Sequence, residues 1–243
     1  MDTATPVTSV AVGSETGTLA SVSIRHERRH AEVLTPAVRW VLEQAEVDAG
    51  SLAGVAVGIG PGLFTGLRVG VSTAKALAQA WRLPMVAVPS LDLLAFAHRH
   101  VRRTICPVID ARRGEVFTAL YRPAPAGVVR LVDYQAMRPD QLAAALEGRG
   151  EEVLLCGDGA LAYREVFQRQ DDRFHLGSRA QAMPSASALV ELALPRFHRE
   201  EFASPLDVTP LYLRRPDVDP SVERRLASER AARTGGSREA GGA

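Results

Sequence analysis

The histidines His26 and His30 are the first pair of residues whose spacing could support chemistry. Because they are four residues apart, a helix would place both imidazoles on one face, as zinc-binding helices do. The segment from Arg25 to Arg29 carries three arginines, which would repel a cation. We therefore expect a solvated helix entrance here rather than a metal site.

Two short turns after apolar strands carry groups that could contact a ligand. The first is Asp110-Ala111-Arg112-Arg113-Gly114-Glu115, which combines an acid, bases and a glycine. The second is Gly157-Asp158-Gly159. The ends of strands are where α/β proteins place their sites. A charged turn closed by local ion pairs is the other interpretation of the first segment, and a plain turn is the other interpretation of the second.

The stretch from Gly58 to Gly70 is typical of a strand, a Gly/Pro turn and a helix, with Thr65 suited to the N-cap. Free backbone N–H groups at such a helix start can bind an anion. The known phosphate motifs do not match, however. No Gly-Lys-Ser/Thr follows, and the third glycine of Gly-x-Gly-x-x-Gly is missing after Gly60 and Gly62. A structural turn is therefore favoured over a phosphate site.

Two predicted helices, His30 to Glu46 and Thr65 to Trp81, are apolar on more than one side. Between Arg68 and Arg82 the only charged residue is Lys75. A helix that is apolar almost all round is covered on more than one side. The second cover is either another part of this chain or a partner protein. For a partner interface the candidates are Val33, Leu34, Ala37, Trp40, Gly66, Val69, Gly70, Thr73, Ala76 and Ala80.

Short apolar runs alternate with helical patterns along the rest of the chain, which predicts an α/β fold whose early hairpin makes the sheet mixed. The predicted strands are Thr8 to Val12, Leu19 to Ile24, Val55 to Ile59, Met85 to Val88, Ile105 to Ile109, Glu115 to Tyr121, Val128 to Tyr134 and Val153 to Cys156. The other predicted helices are Ser90 to His100, Pro139 to Leu146 and Ser185 to His198.

The composition excludes several classes of protein. The 243 residues are 46% hydrophobic and 23% charged, as in ordinary globular proteins. We expect no membrane span and no secretory signal, and we expect a cytoplasmic protein with Cys106 and Cys156 buried and reduced. The net charge of +1 predicts no strong attraction to nucleic acid. From Asp217 to Ala243 large apolar residues are few, which predicts a disordered tail.

Several of these stretches resemble the TsaB family, also called YeaZ. They are Asp2 to Thr5 with Ser9 to Val12, His30 to Pro36, Gly60 to Gly70, Asp110 to Val116, and Pro210 to Arg214. The resemblance covers about residues 2 to 215. It implies an actin/Hsp70-like (ASKHA) α/β fold of two lobes, each with a mixed sheet and flanking helices. The lobes would be residues 1–101 and 102–215, followed by the tail at 216–243.

The same resemblance implies a role in bacterial tRNA modification. It implies the non-catalytic dimerisation subunit of the complex that makes N6-threonylcarbamoyladenosine in tRNA. The catalytic paralogue TsaD transfers the threonylcarbamoyl group, and the P-loop ATPase TsaE joins the pair. The two helices singled out above form the dimer interface in this family. We expect a TsaD-like partner, a homodimer in its absence, only indirect contact with tRNA, and no cofactor on this subunit, with ATP and Mg²⁺ acting at the level of the complex.

Three features of the sequence depart from the related patterns. TsaD holds its metal with two histidines spaced i, i+4, and here Ser90 and Leu94 occupy those positions, so no metal is expected. Family members begin with an apolar strand before the Asp-Thr motif, whereas Met1 directly precedes Asp2. We therefore expect a first strand truncated by a misplaced start site. Leu63 replaces the serine usual in the family's turn, which weakens a phosphate role.

Two rival hypotheses remain. One is an ASKHA enzyme that binds ATP in its own cleft, with carboxylates near the phosphates and Mg²⁺ but no identifiable base or nucleophile. Its candidate phosphate or nucleotide contacts are Asp2, Thr3, Gly60, Gly62, Asp110 and Arg112. The other is a peptidase, for which we expect neither a metal pair nor a catalytic triad.

Overall fold

The protein is described by a computed structural model, which covers residues 1–26 and 29–214. The strands are β1 (Val7–Ser14), β2 (Gly17–Arg25), β3 (Val55–Gly58), β4 (Met85–Val88), β5 (Thr104–Arg112), β6 (Glu115–Ala124), β7 (Gly127–Met137), β8 (Val153–Cys156) and β9 (Phe174–Leu176). The α-helices are α1 (His30–Gln44), α2 (Phe64–Trp81), α3 (Ser90–Ala97), α4 (Pro139–Glu147), α5 (Asp158–Ala162), α6 (Arg164–Gln170) and α7 (Ala186–His198).

The N-terminal strands form two separate pairs. β1 and β2 make an antiparallel hairpin, and β3 and β4 pair in parallel. Residues Met1 and Asp2 lie between the two pairs. Asp2 exchanges two backbone hydrogen bonds with Ser9 of β1, at 2.8 and 2.9 Å, and the Met1 carbonyl accepts one from the Gly58 N–H of β3 at 2.9 Å. The two pairs are therefore joined through a single short segment.

Helices cover both faces of β1. Val10 and Val12 pack into one apolar cluster with buried residues of α1. On the other face, the Ala186 N–H of α7 donates to the Ser9 hydroxyl at 2.9 Å. Because successive residues of a strand point to opposite faces, α1 and α7 must lie on opposite sides of this strand.

A third and larger sheet has five strands in the order β7-β6-β5-β8-β9. β6 is antiparallel to both β5 and β7, whereas β8 is parallel to both β5 and β9, so the sheet is mixed as predicted. One apolar cluster contains Leu142 and Leu146 of α4 and Phe167 of α6. Another contains Leu91 and Leu94 of α3. Both clusters include buried residues of the sheet.

The last helix does not follow the predicted division at residues 101 and 102. Leu189 and Ala193 of α7 pack with Val86 and Val88 of β4, which belongs to the first predicted lobe. The boundary is therefore wrong for α7, because the chain crosses back to the N-terminal strands. Residues 1–213 form one compact unit.

The predicted strands and helices are all present, with bounds that differ by a few residues. Three short elements, α5, α6 and β9, were not predicted, because five, seven and three residues are too few to show a hydrophobic period. The predicted N-cap is wrong: α2 begins at Phe64, with Leu63 as its N-cap and Thr65 inside the helix. Cys106 and Cys156 are buried and free, as predicted. The predicted tail lies outside the described residues.

Over the ranges 1–26 and 29–214, none of the helices is both long and apolar enough to cross a bilayer.

Candidate functional site

The small residues of α2 face the interior of this chain. A methyl group on Gly66 would lie 2.1 Å from the Thr3 carbonyl oxygen, and one on Gly70 would lie 2.1 Å from the Thr3 hydroxyl. The Thr3 hydroxyl also donates to the Gly66 carbonyl at 2.7 Å. The prediction that Gly66 and Gly70 line a partner interface is therefore wrong, since the N-terminal segment makes the close approach that these glycines permit.

Two predicted interface residues on α1 are also covered by this chain itself. Leu34 and Ala37 are buried in the cluster that joins α1 to β1. Neither side chain can contact a partner in this arrangement. The sequence shows two apolar sides on α1, and the structure assigns these two residues to the inner side.

The remaining six candidates stay accessible and define a surface that we call the α1/α2 face. Val69 of α2 packs at the edge of the α1 cluster, so the two helices are neighbours. Trp40 is 45% exposed, which is unusual for so large an apolar side chain. The members of the α1/α2 face are Val33 and Trp40 of α1, with Val69, Thr73, Ala76 and Ala80 of α2.

The only lysine of α2 is directed at the chain itself. The Lys75 ammonium donates to the carbonyl oxygens of Leu206 at 3.2 Å and Val208 at 3.0 Å. No residue of the α1/α2 face is charged. Desolvating this face on binding would therefore not require the removal of a charge from water.

The N-terminal candidates for phosphate contact are occupied by bonds within the chain. The Ser90 hydroxyl and the Ala4 N–H donate to the Asp2 carboxylate at 2.6 and 3.0 Å. The Gly60 N–H donates to the Ser90 oxygen at 3.1 Å. Burial raises the pKa of Asp2 above its usual range, despite these hydrogen bonds.

Close packing explains the glycine-rich turn. A methyl group on Gly62 would lie 2.2 Å from the Ala4 carbonyl oxygen, and Thr3 is fully buried. These contacts engage Asp2, Thr3, Gly60 and Gly62 within the chain, which favours the structural interpretation of the turn over the predicted phosphate contacts.

The other two phosphate candidates lie at the turn between β5 and β6. The Arg112 guanidinium pairs with the Asp110 carboxylate at 3.1 Å, and the Arg112 N–H also donates to it at 2.9 Å. The Asp110 N–H donates to Asp158 at 3.1 Å. Burial, with the nearby Asp110 charge, raises the pKa of Asp158 to about 6. Local ion pairing thus accounts for the first turn, and the hydrogen bond from the Asp110 N–H to Asp158 links it to the second.

The structure changes the interpretation of His26 and His30 in two respects, the motif that they form and their exposure to solvent. Residues 26–30 match His-Glu-x-x-His, the pattern of zinc peptidase helices, which the sequence reasoning overlooked. In the structure α1 begins only at His30, so the two histidines do not share a helix. The predicted solvated entrance is also wrong, because His30 is 4% exposed. Burial, with the neighbouring His26, lowers the pKa of His30 to about 4.

A threonine hydroxyl connects the two histidine rings. The Thr8 oxygen lies 2.8 Å from His26 Nε2 and 2.8 Å from His30 Nδ1. The Arg29 N–H donates to His26 Nδ1 at 3.1 Å, so a neutral His26 carries its proton on Nε2. His26 then donates to Thr8, and Thr8 donates to His30. Across the described ranges, no three His, Cys, Asp or Glu residues are grouped to hold a metal.

Ser90 and Leu94, which stand where a metal-binding pair of histidines would be, both make contacts within the chain. Ser90 is hydrogen-bonded to Asp2, and Leu94 is buried with Leu91 of α3.

Asp92, also on α3, accepts hydrogen bonds from the hydroxyls of Tyr121 at 2.5 Å and Tyr134 at 2.8 Å. This last cluster gave no sequence signal, because its members are far apart in the chain.

Several known proteins are similar to this chain in sequence. A family model described as TsaD: tRNA N6-adenosine threonylcarbamoyltransferase matches residues 19–220. The chain is 30% identical to the tRNA threonylcarbamoyladenosine biosynthesis protein TsaB of Bacillus subtilis, over 90% of this chain and 94% of that protein. It is 27% identical to the protein of the same name from Escherichia coli, over 88% and 93%.

Two solved structures from Pseudomonas aeruginosa are also similar to this chain. YeaZ from Pseudomonas aeruginosa has a TM-score of 0.75 and 28% identity, over 87% of this chain and 97% of that one. A second Pseudomonas aeruginosa structure, described as an uncharacterized protein with similarity to peptidase YEAZ, has a TM-score of 0.75 and 30% identity, over 88% and 97%. The expected ASKHA-like α/β fold is confirmed by these likenesses. Taken together, sequence and fold place the chain in the TsaB (YeaZ) family.

Proposed function

We propose that this chain acts in the biosynthesis of N6-threonylcarbamoyladenosine in tRNA as a non-catalytic subunit. In this proposal it binds a TsaD-like catalytic subunit through the α1/α2 face and holds it in its active arrangement, which is a population shift and not chemistry. The names of the TsaB relatives support the pathway. The match to a TsaD family model supports the choice of partner, because it indicates a related fold.

The accessible, uncharged α1/α2 face is the observation that carries the proposal. Trp40 is exposed, and the α2 members of this face, Val69, Thr73, Ala76 and Ala80, are uncharged and at least partly accessible. Tryptophan is enriched among the residues that dominate binding energy at interfaces. The carboxylates Asp2, Asp110 and Asp158 and the histidines His26 and His30 are engaged in bonds within the chain, which favours a supporting role over an enzymatic one.

Replacing Ala76 by arginine tests the proposal. Ala76 is exposed on α2, so the change should leave the fold intact while placing a charge in the interface. We expect at least tenfold weaker binding to a TsaD-like subunit in calorimetry, and a matching loss of modified tRNA in a reconstituted reaction that includes a TsaE-like ATPase. Ala144→Arg, on the exposed side of α4, is the matched control. Equal binding by both variants would refute the interface.

ATP binding by the isolated chain is the outcome that would favour the rival enzyme. Under the proposal, ATP and Mg²⁺ act at the level of the complex. Calorimetric titration of the isolated chain with MgATP should therefore show no tight binding. A dissociation constant in the low micromolar range would support an ATP-binding enzyme instead.

A further inference from the structure

Two aromatic rings and a guanidinium lie together at the start of α2. The rings of Phe64, the first residue of α2, and Tyr212 have their centroids 5.2 Å apart. The Arg68 guanidinium lies 5.2 Å from the centre of the Phe64 ring, which it reaches from the next turn of the helix. Arg68 is exposed and Tyr212 is 43% exposed. This cluster, which we call the aromatic rim, therefore presents a cation and an aromatic ring to solvent.

Tyr212 belongs to an irregular segment that runs alongside α2. We call residues 203–213 the strap. The Leu211 N–H donates to the Ile59 carbonyl, which follows β3, at 2.8 Å. The two hydrogen bonds from Lys75, described above, hold the strap against α2 itself. The Tyr212 ring is therefore held in place by bonds on both its helix and its strand neighbours.

The aromatic rim borders the α1/α2 face on the side away from α1. Arg68 directly precedes Val69, and successive residues of a helix are about 100° apart around its axis. Leu77, which packs into the α1 cluster, lies on the opposite side of Val69 from Arg68. Because Lys75 lies two turns beyond Arg68, both basic residues are on the strap side of α2. A partner that covers the α1/α2 face therefore meets Arg68 and Tyr212 at its edge.

The charge of Arg68 is not matched by an acid. Across residues 1–26 and 29–214, no carboxylate forms an ion pair with Arg68, whose described contact is the Phe64 ring. The sequence has no Asp or Glu between Asp48 and Asp92. A guanidinium offers a planar set of donors that matches a carboxylate, and stacking on a ring leaves those donors available.

We propose that Arg68 binds a carboxylate of the catalytic partner, with the Tyr212 ring packed against the apolar side chain beside that carboxylate. This inference rests on the proposed function, because it takes the α1/α2 face as the site of that partner. Arginine and tyrosine are enriched among the residues that dominate binding energy at interfaces. A charge at the edge of an interface acts mainly on the rate of association and on its dependence on salt.

An RNA phosphate is the other anion that an arginine and an aromatic ring could bind. Single-stranded RNA is bound by basic grooves that follow several phosphates. Arg68 and Lys75 are the only basic residues between Arg39 and Arg82, and the Lys75 ammonium is bonded to the strap. The uncharged surface beside the aromatic rim therefore favours a protein carboxylate.

Association rates with a TsaD-like subunit, measured by stopped flow at low and high salt, test the role of Arg68. Raising the salt should slow association of the unmodified chain about threefold or more, whereas Arg68→Gln should associate slowly at both salt concentrations. Arg68→Lys should keep the salt dependence but bind more weakly, because an ammonium lacks the planar set of donors. Arg164→Gln is the matched control, since it removes the same charge from an exposed position on α6.

The contribution of the ring is measured separately as a dissociation rate. Tyr212→Ala should dissociate about fivefold faster or more and associate at an unchanged rate, because it removes apolar contact and no charge. Tyr212→Phe retains the ring and should dissociate like the unmodified chain. If Tyr212→Ala dissociates no faster than Tyr212→Phe, the ring makes no contact with the partner and the proposal fails.

Ala76→Arg distinguishes a failure of this inference from a failure of the proposed function. If Ala76→Arg abolishes binding while Arg68→Gln keeps the unmodified rates and salt dependence, the partner uses the α1/α2 face but not the aromatic rim, and the proposal is overturned. If neither variant changes binding, the proposed function falls with it. If Arg68→Gln binds the partner normally but retains less tRNA on a filter than Arg164→Gln does, the aromatic rim binds RNA and the carboxylate is refuted.

Discussion

At the scale of single residues, Gly70 shows how an N-terminal segment can occupy the surface of a helix. In Gly70→Ala the new methyl group would lie 2.1 Å from the Thr3 hydroxyl, which is bonded to Gly66. Thr3 or α2 must shift. We expect a net loss of about 1–3 kcal/mol in the free energy of unfolding, even though alanine favours a helix by up to about 1 kcal/mol. Urea unfolding measures this change.

Gly50→Ala is the matched control for this substitution. A methyl group on Gly50 would meet no atom within 4 Å, so the change should alter stability by less than about 0.5 kcal/mol. If the two variants lose equal stability, the contact with Thr3 does not explain why α2 has a glycine at position 70.

Asp158 should make stability depend on pH. Its pKa is raised to about 6, mainly by burial, so between pH 4 and 6 the folded state binds more protons than the unfolded state. The free energy of unfolding must then fall as pH rises through that window, by at most about 3 kcal/mol for a shift of two units. Asp158→Asn keeps an oxygen acceptor for the Asp110 N–H but cannot ionise.

Urea unfolding of both proteins at pH 4, 5, 6 and 7 isolates this contribution. Relative to Asp158→Asn, the unmodified protein should lose stability from pH 4 to 6 and change little above that. Parallel pH profiles would show that Asp158 does not titrate in this range.

At the scale of elements, the α1/α2 face should support self-association when no other partner is present. We expect the isolated chain to form a dimer of twice 26.1 kDa, and Trp40→Glu to shift it to the monomer, because a charge would be buried at the contact. Size exclusion with light scattering measures both masses. Leu19→Glu changes a similarly exposed apolar residue on β2 and should leave the dimer intact. A monomeric unmodified chain, or a dimeric Trp40→Glu variant, would contradict this expectation.

Periodicity alone located α1 and α2 but could not assign their faces. Both helices have two apolar sides, and the pattern contains no information on which side this chain covers. Gly66 and Gly70 are small because Thr3 approaches them, a contact between residues more than sixty positions apart. Trp40 and Ala76, in contrast, remain accessible, as predicted. The sequence therefore predicts the helices well but not which of their apolar sides this chain covers.

Local sequence motifs failed to predict a site for a different reason. The match of residues 26–30 to a zinc pattern was visible in the sequence, yet a motif has meaning only on the element that presents it. Because α1 begins at His30, the pattern is not displayed on a helix. The hydrogen bonds from both rings to Thr8 depend on the packing of α1 against β1, which no local pattern encodes.

At the scale of the whole molecule, α3 joins the N-terminal strands to the five-stranded sheet. Its first residue, Ser90, bonds to Asp2, and its residue Leu93 packs with β4 and α7. Its other side, with Leu91 and Leu94, lies in the core of the five-stranded sheet. A helix shared by two cores should make them unfold together.

Asp92 is the polar contact on which that coupling can be tested. Both tyrosine hydroxyls, of Tyr121 and Tyr134, donate to the same carboxylate oxygen, Oδ1. Asp92→Ala removes the acceptor of both hydroxyls, one of them on the buried Tyr121, which should cost about 1–3 kcal/mol of stability. Asp92→Asn retains an oxygen there and should cost less than half as much.

Calorimetry can separate a loss of coupling from a simple loss of stability. The unmodified chain should unfold in one transition whose calorimetric and van't Hoff enthalpies agree, whereas Asp92→Ala should show a van't Hoff enthalpy well below the calorimetric one. Amide exchange would then place the earlier opening either in the N-terminal strands or in the five-stranded sheet, since α3 no longer ties them through Asp92. If Asp92→Ala and Asp92→Asn are equally destabilised, or if the alanine variant still unfolds in a single transition, the shared apolar core of α3 couples the sheets without help from this carboxylate.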